Sequence, residues 1–325
     1  MKALKRSGIL LLALLCALPL LSSCKQNEEE ETVYYTVTFD SNGGSAVEEQ
    51  TVAAEEAVRE PTPPTREGYI FEGWQTERGS LWNFSSDFVM SDMTLTAKWL
   101  DASDIFFYEV MGNGVKITAV KKLYPTLAIP SILKGFEVTA IGDGVFYELS
   151  SKEVQKITLP HTITSVGEEA FFECTGITIT FDPRAVLTEV GEAAFFGCDR
   201  LSAVRLGEGL SEIAPDTFFG CTSLREIRLP KSVTLLSDNA FADCSSLVSV
   251  MFHPELREIG DSAFKDCDAL RALYFYGTET ELSELREHGT ANQNQPFLNA
   301  TAYFYSATEH SGRWYLDDND KPKLW

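Results

Sequence analysis

The sequence predicts a mainly β solenoid whose coils take about 23 residues each. Phenylalanines recur at spacings of 24, 23, 23 and 23, and a cysteine follows each one three residues later. Short apolar-polar-apolar segments such as Ile227–Leu229 repeat with the same period and predict one strand in each coil. A single coil cannot bury its apolar side chains alone, so the coils must stack on one another. The recurring residues are Phe171, Phe195, Phe218, Phe241 and Phe264, with Cys174, Cys198, Cys221, Cys244 and Cys267.

The N-terminus predicts export and a lipid anchor. Basic residues precede an apolar run over residues 9–21, which is shorter than the roughly 20 residues that a membrane-spanning helix needs. Residues 1–23 are therefore interpreted as a signal peptide. The segment "LSSC" resembles the lipobox of bacterial lipoproteins. This resemblance implies that Cys24 is diacylated and holds the mature chain to a membrane.

The start of the mature chain is strongly acidic. Residues 24–32 include the run Glu28–Glu31 and predict a solvated tether. This stretch resembles the surface-export signals of some outer-membrane lipoproteins, which implies display on the outer-membrane surface. Removal of residues 1–23, which contain three basic and no acidic residues, moves the formal charge from -21 to -24. So acidic a chain argues against nucleic-acid binding, which requires a basic surface.

Residues 33–100 predict a small β domain. An alternating strand runs into a turn at Asn42–Gly44, and a second alternating strand closes the segment. The motifs "VTFDSNGG", "PTREGYIFEGW" and "LTAKW" resemble the Listeria-Bacteroides repeat, a β-grasp-like module of bacterial surface proteins. Four aromatic side chains could form a ligand-stacking platform, but in so small a domain we expect them to form the core. They are Phe71, Trp74, Trp82 and Trp99.

Residues 127–276 carry the repeats. Their consensus, C-x-x-L-x-x-I-x-L-P-x-x-V-x-x-I-x-x-x-A-F, resembles the BspA-like leucine-rich repeats, which implies a leucine-rich-repeat solenoid. Residues 101–126 and 277–325 depart from the period and are expected to form the N-terminal and C-terminal caps, each with a hairpin. One coil is irregular, because 14 residues separate Phe181 from Phe195 where other coils use 12. We therefore expect a bulge near Pro183.

No arrangement of residues points to catalysis. The four histidines are scattered, and no known nucleophile, zinc or phosphate-binding motif occurs. The sequence therefore predicts neither an enzyme nor a cofactor or metal site. Asp317, Asp318 and Asp320 lack the glycine and glutamate of a calcium loop, and we expect a solvated turn. The repeat cysteines could form disulfides in a secreted chain, but parallel Cβ directions and an odd number favour buried free thiols.

The repeat geometry also predicts a binding surface. The residue between the two apolar positions of each strand should point outward, and these residues should form one row with a spacing of about 5 Å. We call this row the stripe. Repeat proteins bind on such extended surfaces, although exposed strand residues can also vary without consequence. The stripe consists of Thr158, Thr180, Arg205, Arg228, Met251 and Tyr274.

Two classes of function remain open. The resemblance to both families implies a cell-surface lipoprotein that binds a protein partner in adhesion or host interaction. The alternative is a glycan- or nutrient-binding component of an envelope complex. An aromatic cluster on the exposed sheet would favour a glycan, whereas a mixed charged and apolar stripe favours a protein. The two arginines and the apolar Met251 and Tyr274 favour a protein partner.

Overall fold

The computed structural model describes residues 32–308, 313–317 and 321–324. The predicted signal peptide, the lipidation site Cys24 and most of the tether lie outside the described residues, as do Asp318 and Asp320. The regular secondary structure of the described chain consists mainly of strands, which confirms the predicted fold class. None of its helices has the length and apolar character needed to cross a membrane.

The N-terminal module is a mixed four-stranded sheet. Its strands lie in the order β2-β1-β4-β3, with the central strands β1 and β4 parallel. Trp74 is only 2% exposed and packs edge to face on Phe39, with 4.8 Å between ring centroids. Phe71, Trp82 and Trp99 pack around the same core, as the sequence predicted. The strands are β1 (Tyr34–Asp40), β2 (Gln50–Ala53), β3 (Tyr69–Gln75) and β4 (Met93–Asp101).

The first module passes into the solenoid without a linker. Strand β4 ends at Asp101, whose carboxylate accepts a hydrogen bond from the Ser103 backbone N–H at 2.8 Å and caps a 3-10 turn, Ala102–Asp104. The hairpin predicted for the N-terminal cap follows and turns at Gly112–Gly114. Ile70 of β3 is buried in the same apolar core as the solenoid, so the two modules pack together. The hairpin strands are β5 (Phe106–Met111) and β6 (Gly114–Val120).

Each regular coil contributes two short strands, and strands of successive coils pair in parallel. The first strands of the coils form one row along the solenoid, and the second strands form another. The first row contains β7 (Thr126–Ala128), β10 (Lys156–Leu159), β12 (Thr178–Phe181), β15 (Glu226–Arg228), β17 (Ser249–Phe252), β19 (Ala272–Phe275), β20 (Thr301–Tyr305), β21 (Arg313–Leu316) and β22 (Pro322–Leu324). The second contains β8 (Ile132–Leu133), β9 (Phe136–Ile141), β11 (Ser165–Val166), β13 (Glu189–Val190), β14 (Glu212–Ile213), β16 (Leu235–Leu236) and β18 (Glu258–Ile259). Two helices, α1 (Glu279–His288) and α2 (Gln295–Asn299), interrupt the last coil and were not predicted.

A continuous stack of phenylalanines fills the solenoid, and we call it the inner ladder. The rings are fully buried and nearly parallel, with centroids 4.9 to 5.6 Å apart. Phe297 of α2 stacks on the last ring at 5.3 Å and closes the ladder. The inner ladder consists of Phe146, Phe171, Phe195, Phe218, Phe241 and Phe264.

The five repeat cysteines are buried free thiols and not disulfides. Each Sγ donates a hydrogen bond, at 3.0 to 3.3 Å, to the backbone carbonyl oxygen of the inner-ladder phenylalanine in the preceding coil. Burial raises the pKa of Cys174 and of Cys267 to about 12. The thiols therefore fill a narrow slot and satisfy a carbonyl group there.

The irregular coil breaks both rows of strands. Residues 201–205 form no strand, contrary to the expectation that every coil contributes one. The extra residues after Phe181 put Leu187 where a strand partner would lie: its N–H donates to the Arg205 carbonyl at 2.9 Å, and its carbonyl accepts from the Gly207 N–H at 2.8 Å. The first row is therefore divided into sheets of three and six strands. In place of the bulge predicted near Pro183, the strand pairing is reduced to one parallel bridge between Leu187 and Leu206.

The C-terminal cap differs from the single aromatic hairpin that the sequence predicted. Strands β20 and β21 extend the six-stranded sheet in parallel, and only β21 and β22 form a hairpin. The Asp317 carboxylate accepts the Lys321 N–H at 2.9 Å and forms an ion pair with Lys323.

Replacement of a single inner-ladder ring should destabilise the whole solenoid. We expect Phe218→Ala or Phe241→Ala to lower the free energy of unfolding by about 3 to 5 kcal/mol, because each leaves a cavity between stacked coils. Thermal or denaturant unfolding measures this loss. The adjacent substitution Phe219→Ala is the control and should cost much less, since Ala242 already occupies the equivalent position one coil later. Equal losses for Phe218→Ala and Phe219→Ala would contradict the assigned repeat register.

Candidate binding groove on the strand face

A groove with a volume of about 670 Å³ opens on the first row of strands. One wall is the irregular segment 203–208, and the floor includes β15, β17 and β19. Lys321 and Pro322 of the C-terminal hairpin contribute to the opposite side. The groove therefore lies between the interruption of the sheet and the C-terminal cap.

Four of the six stripe residues line this groove. Arg228, Met251 and Tyr274 are direct partners across β15, β17 and β19, and Tyr303 of β20 continues the same row. Arg205 stands on the wall, and its Nη1 donates to the Pro183 carbonyl at 2.8 Å.

The remaining two stripe residues lie elsewhere. Thr158 and Thr180 are partners in the three-stranded sheet beyond the interruption, so the stripe is two separate pieces. Met251 was expected to be exposed but is only 6% exposed, because it lies between larger neighbours, Arg228 and Tyr274.

The groove carries charges of both signs. Lys321 forms an ion pair with Glu226, which ties the C-terminal hairpin to β15. The Glu208 carboxylate accepts the backbone N–H groups of Lys231 and Ser232, both at 2.9 Å. Burial alone would raise the pKa of Glu208, but these two hydrogen bonds hold it below its usual value. Glu208 is therefore a fixed negative charge at neutral pH.

His253, one of the four scattered histidines, also lines the groove. It stacks on Tyr276 with 4.1 Å between ring centroids. Burial lowers the pKa of His253, which favours the neutral imidazole at neutral pH. The Arg228 guanidinium donates to the Tyr276 hydroxyl at 3.2 Å, so the same tyrosine positions both side chains.

An aromatic cluster adjoins the groove and was missed as a group. Trp314 is fully buried and contacts Tyr274, Tyr276 and Tyr305 edge to face at 5.4, 4.8 and 5.2 Å. The alternation "YFY" around Phe275 and again around Phe304 places these tyrosines on one sheet face, and this signal was available in the sequence.

The groove carries groups that can bind a ligand through hydrogen bonds, ion pairs and apolar contacts. It combines arginine and lysine donors, two carboxylates and apolar surface from Met251 and Tyr274. Within the described ranges, no group of three or more histidine, cysteine, aspartate or glutamate side chains is placed to hold a metal ion.

Stacked coils with parallel strands and an extended groove define a leucine-rich-repeat solenoid. Residues 139–271 match the BspA type leucine rich repeat region in six copies, and residues 35–98 match the Listeria-Bacteroides repeat domain. Residues 139–271 are thus similar to the BspA type leucine rich repeats, and residues 35–98 to the Listeria-Bacteroides repeat domain. Neither family model describes an enzyme.

Curated relatives share only a segment of this chain. Internalin H of Listeria monocytogenes is 38% identical over 80 residues, which are 24% of this chain and 14% of that protein. A putative Gly-rich membrane protein of Evansella cellulosilytica is 46% identical over 75 residues, or 22% of this chain and 8% of that protein. The chain thus spans a small part of these relatives.

Solved structures of leucine-rich-repeat proteins are also similar. The T. pallidum leucine-rich-repeat protein is 19% identical, covers 61% of this chain and 98% of its own, and has a TM-score of 0.42. A leucine-rich cell surface protein from Faecalibacterium prausnitzii is 24% identical, covers 53% and 55%, and has a TM-score of 0.40. The two family models together with the repeat geometry show leucine-rich repeats over residues 139–271 and a Listeria-Bacteroides repeat over residues 35–98.

Proposed function

We propose that this protein is displayed at the cell surface and binds a protein partner, in adhesion or host interaction, through the groove. The observation that carries the proposal is the convergence of Arg205, Arg228, Met251 and Tyr274 on one recess of about 670 Å³. The match of residues 139–271 to the BspA type repeats and the similarity to internalin H support a role in protein interaction at the surface.

The residue types in the groove suit a protein interface. Arginine and tyrosine dominate the energy of many interfaces, since each combines a large contact area with directional hydrogen bonds. Arg205 is tethered to the Pro183 carbonyl and Arg228 to the Tyr276 hydroxyl, which lowers the entropy lost when a partner binds. In a chain of net charge -21, the two arginines offer a local site for a carboxylate of the partner.

A glycan- or nutrient-binding role in an envelope complex is the second candidate. The tyrosines beside the groove favour it, because aromatic faces stack on sugar rings. Here, however, Tyr274, Tyr276 and Tyr305 pack around the buried Trp314 and use their rings in the protein's own packing. The mixed charges of the groove therefore favour a protein over a neutral sugar.

A combined Arg205→Ala, Arg228→Ala, Tyr274→Ala variant should lose its partner. Because the Tyr274 ring also packs on Trp314, the variant is compared with the wild type below its own unfolding transition. A pull-down from host cells or matrix material with the wild-type chain identifies the partner, and the affinities of both chains are then measured. Raised salt should weaken the wild-type complex through screening. The control Thr158→Ala, Thr180→Ala changes the stripe outside the groove and should keep full affinity. Full affinity in the triple variant would contradict the proposed groove.

We further propose that diacylated Cys24 anchors the chain in the cell envelope, at the outer-membrane surface. The lipobox resemblance and the acidic tether support this localisation. A Cys24→Ser variant should lose its acyl label and move from the membrane fraction to the soluble fraction, because no lipid chain then holds it. The control Cys16→Ser removes a cysteine from the apolar run and should leave the label in place. Unchanged partitioning of Cys24→Ser would rule out this anchor.

A further inference from the structure

A second stack of aromatic rings runs beside the inner ladder, and we call it the outer ladder. It consists of the residue that follows the core phenylalanine in four consecutive coils: Tyr147, Phe172, Phe196 and Phe219. The centroids are 4.9, 4.7 and 4.6 Å apart, and neighbouring ring planes differ by 15° or less. Tyr147 is 42% exposed and the three phenylalanines are partly exposed. The stack therefore presents a row of ring edges to solvent.

The fold does not require aromatic rings at this position. Ala242 and Lys265 occupy it in the next two coils, and the same turn hydrogen bond forms in each case. The N–H of Phe172 donates to the carbonyl three residues earlier at 3.0 Å, and those of Ala242 and Lys265 do so at 3.0 Å as well. The backbone is thus indifferent to the side chain, and exposed rings here need a reason other than coil geometry.

Carboxylates lie on both sides of the outer ladder. Glu148 and Glu173 directly follow a ring, while Glu169 and Asp216 precede one by three residues. In the described part of the chain, none of these four carboxylates takes part in an ion pair. Partial burial, together with the charges of Glu148 and Glu169, raises the pKa of the Tyr147 hydroxyl, so the negative field reaches this end of the outer ladder.

An apolar ridge with acidic flanks is complementary to an apolar strip with basic flanks. We infer that the outer ladder is a second docking surface, separate from the groove, for a cationic amphipathic segment of a protein partner. The apolar side chains of that segment cover the exposed ring edges, and its lysines or arginines pair with the flanking carboxylates. The proposal is independent of the groove, because none of the outer-ladder residues lines it.

A synthetic amphipathic helix of leucine and lysine tests this surface. The full mature chain should bind the peptide. A scrambled peptide of the same composition lacks a leucine face, and its affinity should be lower by about tenfold or more. The double variant Phe172→Ala, Phe196→Ala should reduce binding of the amphipathic peptide by about tenfold or more. This variant is expected to fold, because Ala242 already occupies the position.

A matched control separates the outer ladder from exposed aromatic residues in general. Phe88 and Phe107 are both 55% exposed and lie in other parts of the molecule. The variant Phe88→Ala, Phe107→Ala removes two rings without changing the charge and should bind the peptide like the wild type. Equal binding of both peptides, or wild-type binding by the ladder variant, would overturn the proposal. A neutral oligosaccharide that binds the outer ladder in place of the peptide would also overturn it.

Discussion

Stacking of one coil on the next is the constraint on which the rest of this structure depends. Each regular coil brings one buried phenylalanine ring, one thiol and two short strands, and none of these is satisfied within the coil itself. The ring needs a ring above and below, and the thiol needs a carbonyl oxygen from the neighbouring coil. The chain must also turn tightly around the ring: Glu169 and Glu173 on either side of Phe171 have positive φ values of 52° and 54°. The stacked core offsets the cost of these left-handed residues.

The groove follows from a local failure of the same stacking. Extra residues after Phe181 let Leu187 take the hydrogen bonds that the next coil would otherwise give to β12. The core is unaffected, because the Phe171 and Phe195 rings still stack at 5.3 Å. Only the two rows of strands are interrupted, and the segment 203–208 becomes a wall instead of a strand. An irregularity that is harmless to the core thereby creates a recess on a surface that would otherwise be a continuous sheet.

The sequence predicted what depends on periodicity. The inner ladder, the thiol slot and the position of Arg228 and Tyr274 on either side of Met251 all follow from a fixed spacing, because equivalent residues of stacked coils lie next to one another. Features that depend on a neighbour were not predictable in this way. The segment 201–205 resembles the other strands in sequence, but it does not pair with β12, because Leu187 takes the hydrogen bonds that would join the two coils. Met251 is covered by larger neighbours, and the C-terminal strands join the sheet only after two helices have interrupted the period.

The most direct measurement of the central claim, one continuous core of stacked coils, is the reactivity of the five repeat thiols. A native chain treated with an alkylating reagent at about pH 8 should leave all five unmodified, since burial and a pKa near 12 at Cys174 and Cys267 suppress the thiolate. Peptide mapping by mass spectrometry locates each label, and all five should react once the chain is unfolded in guanidinium. Rapid labelling of Cys221, at the centre of the ladder, in the native protein would contradict the account.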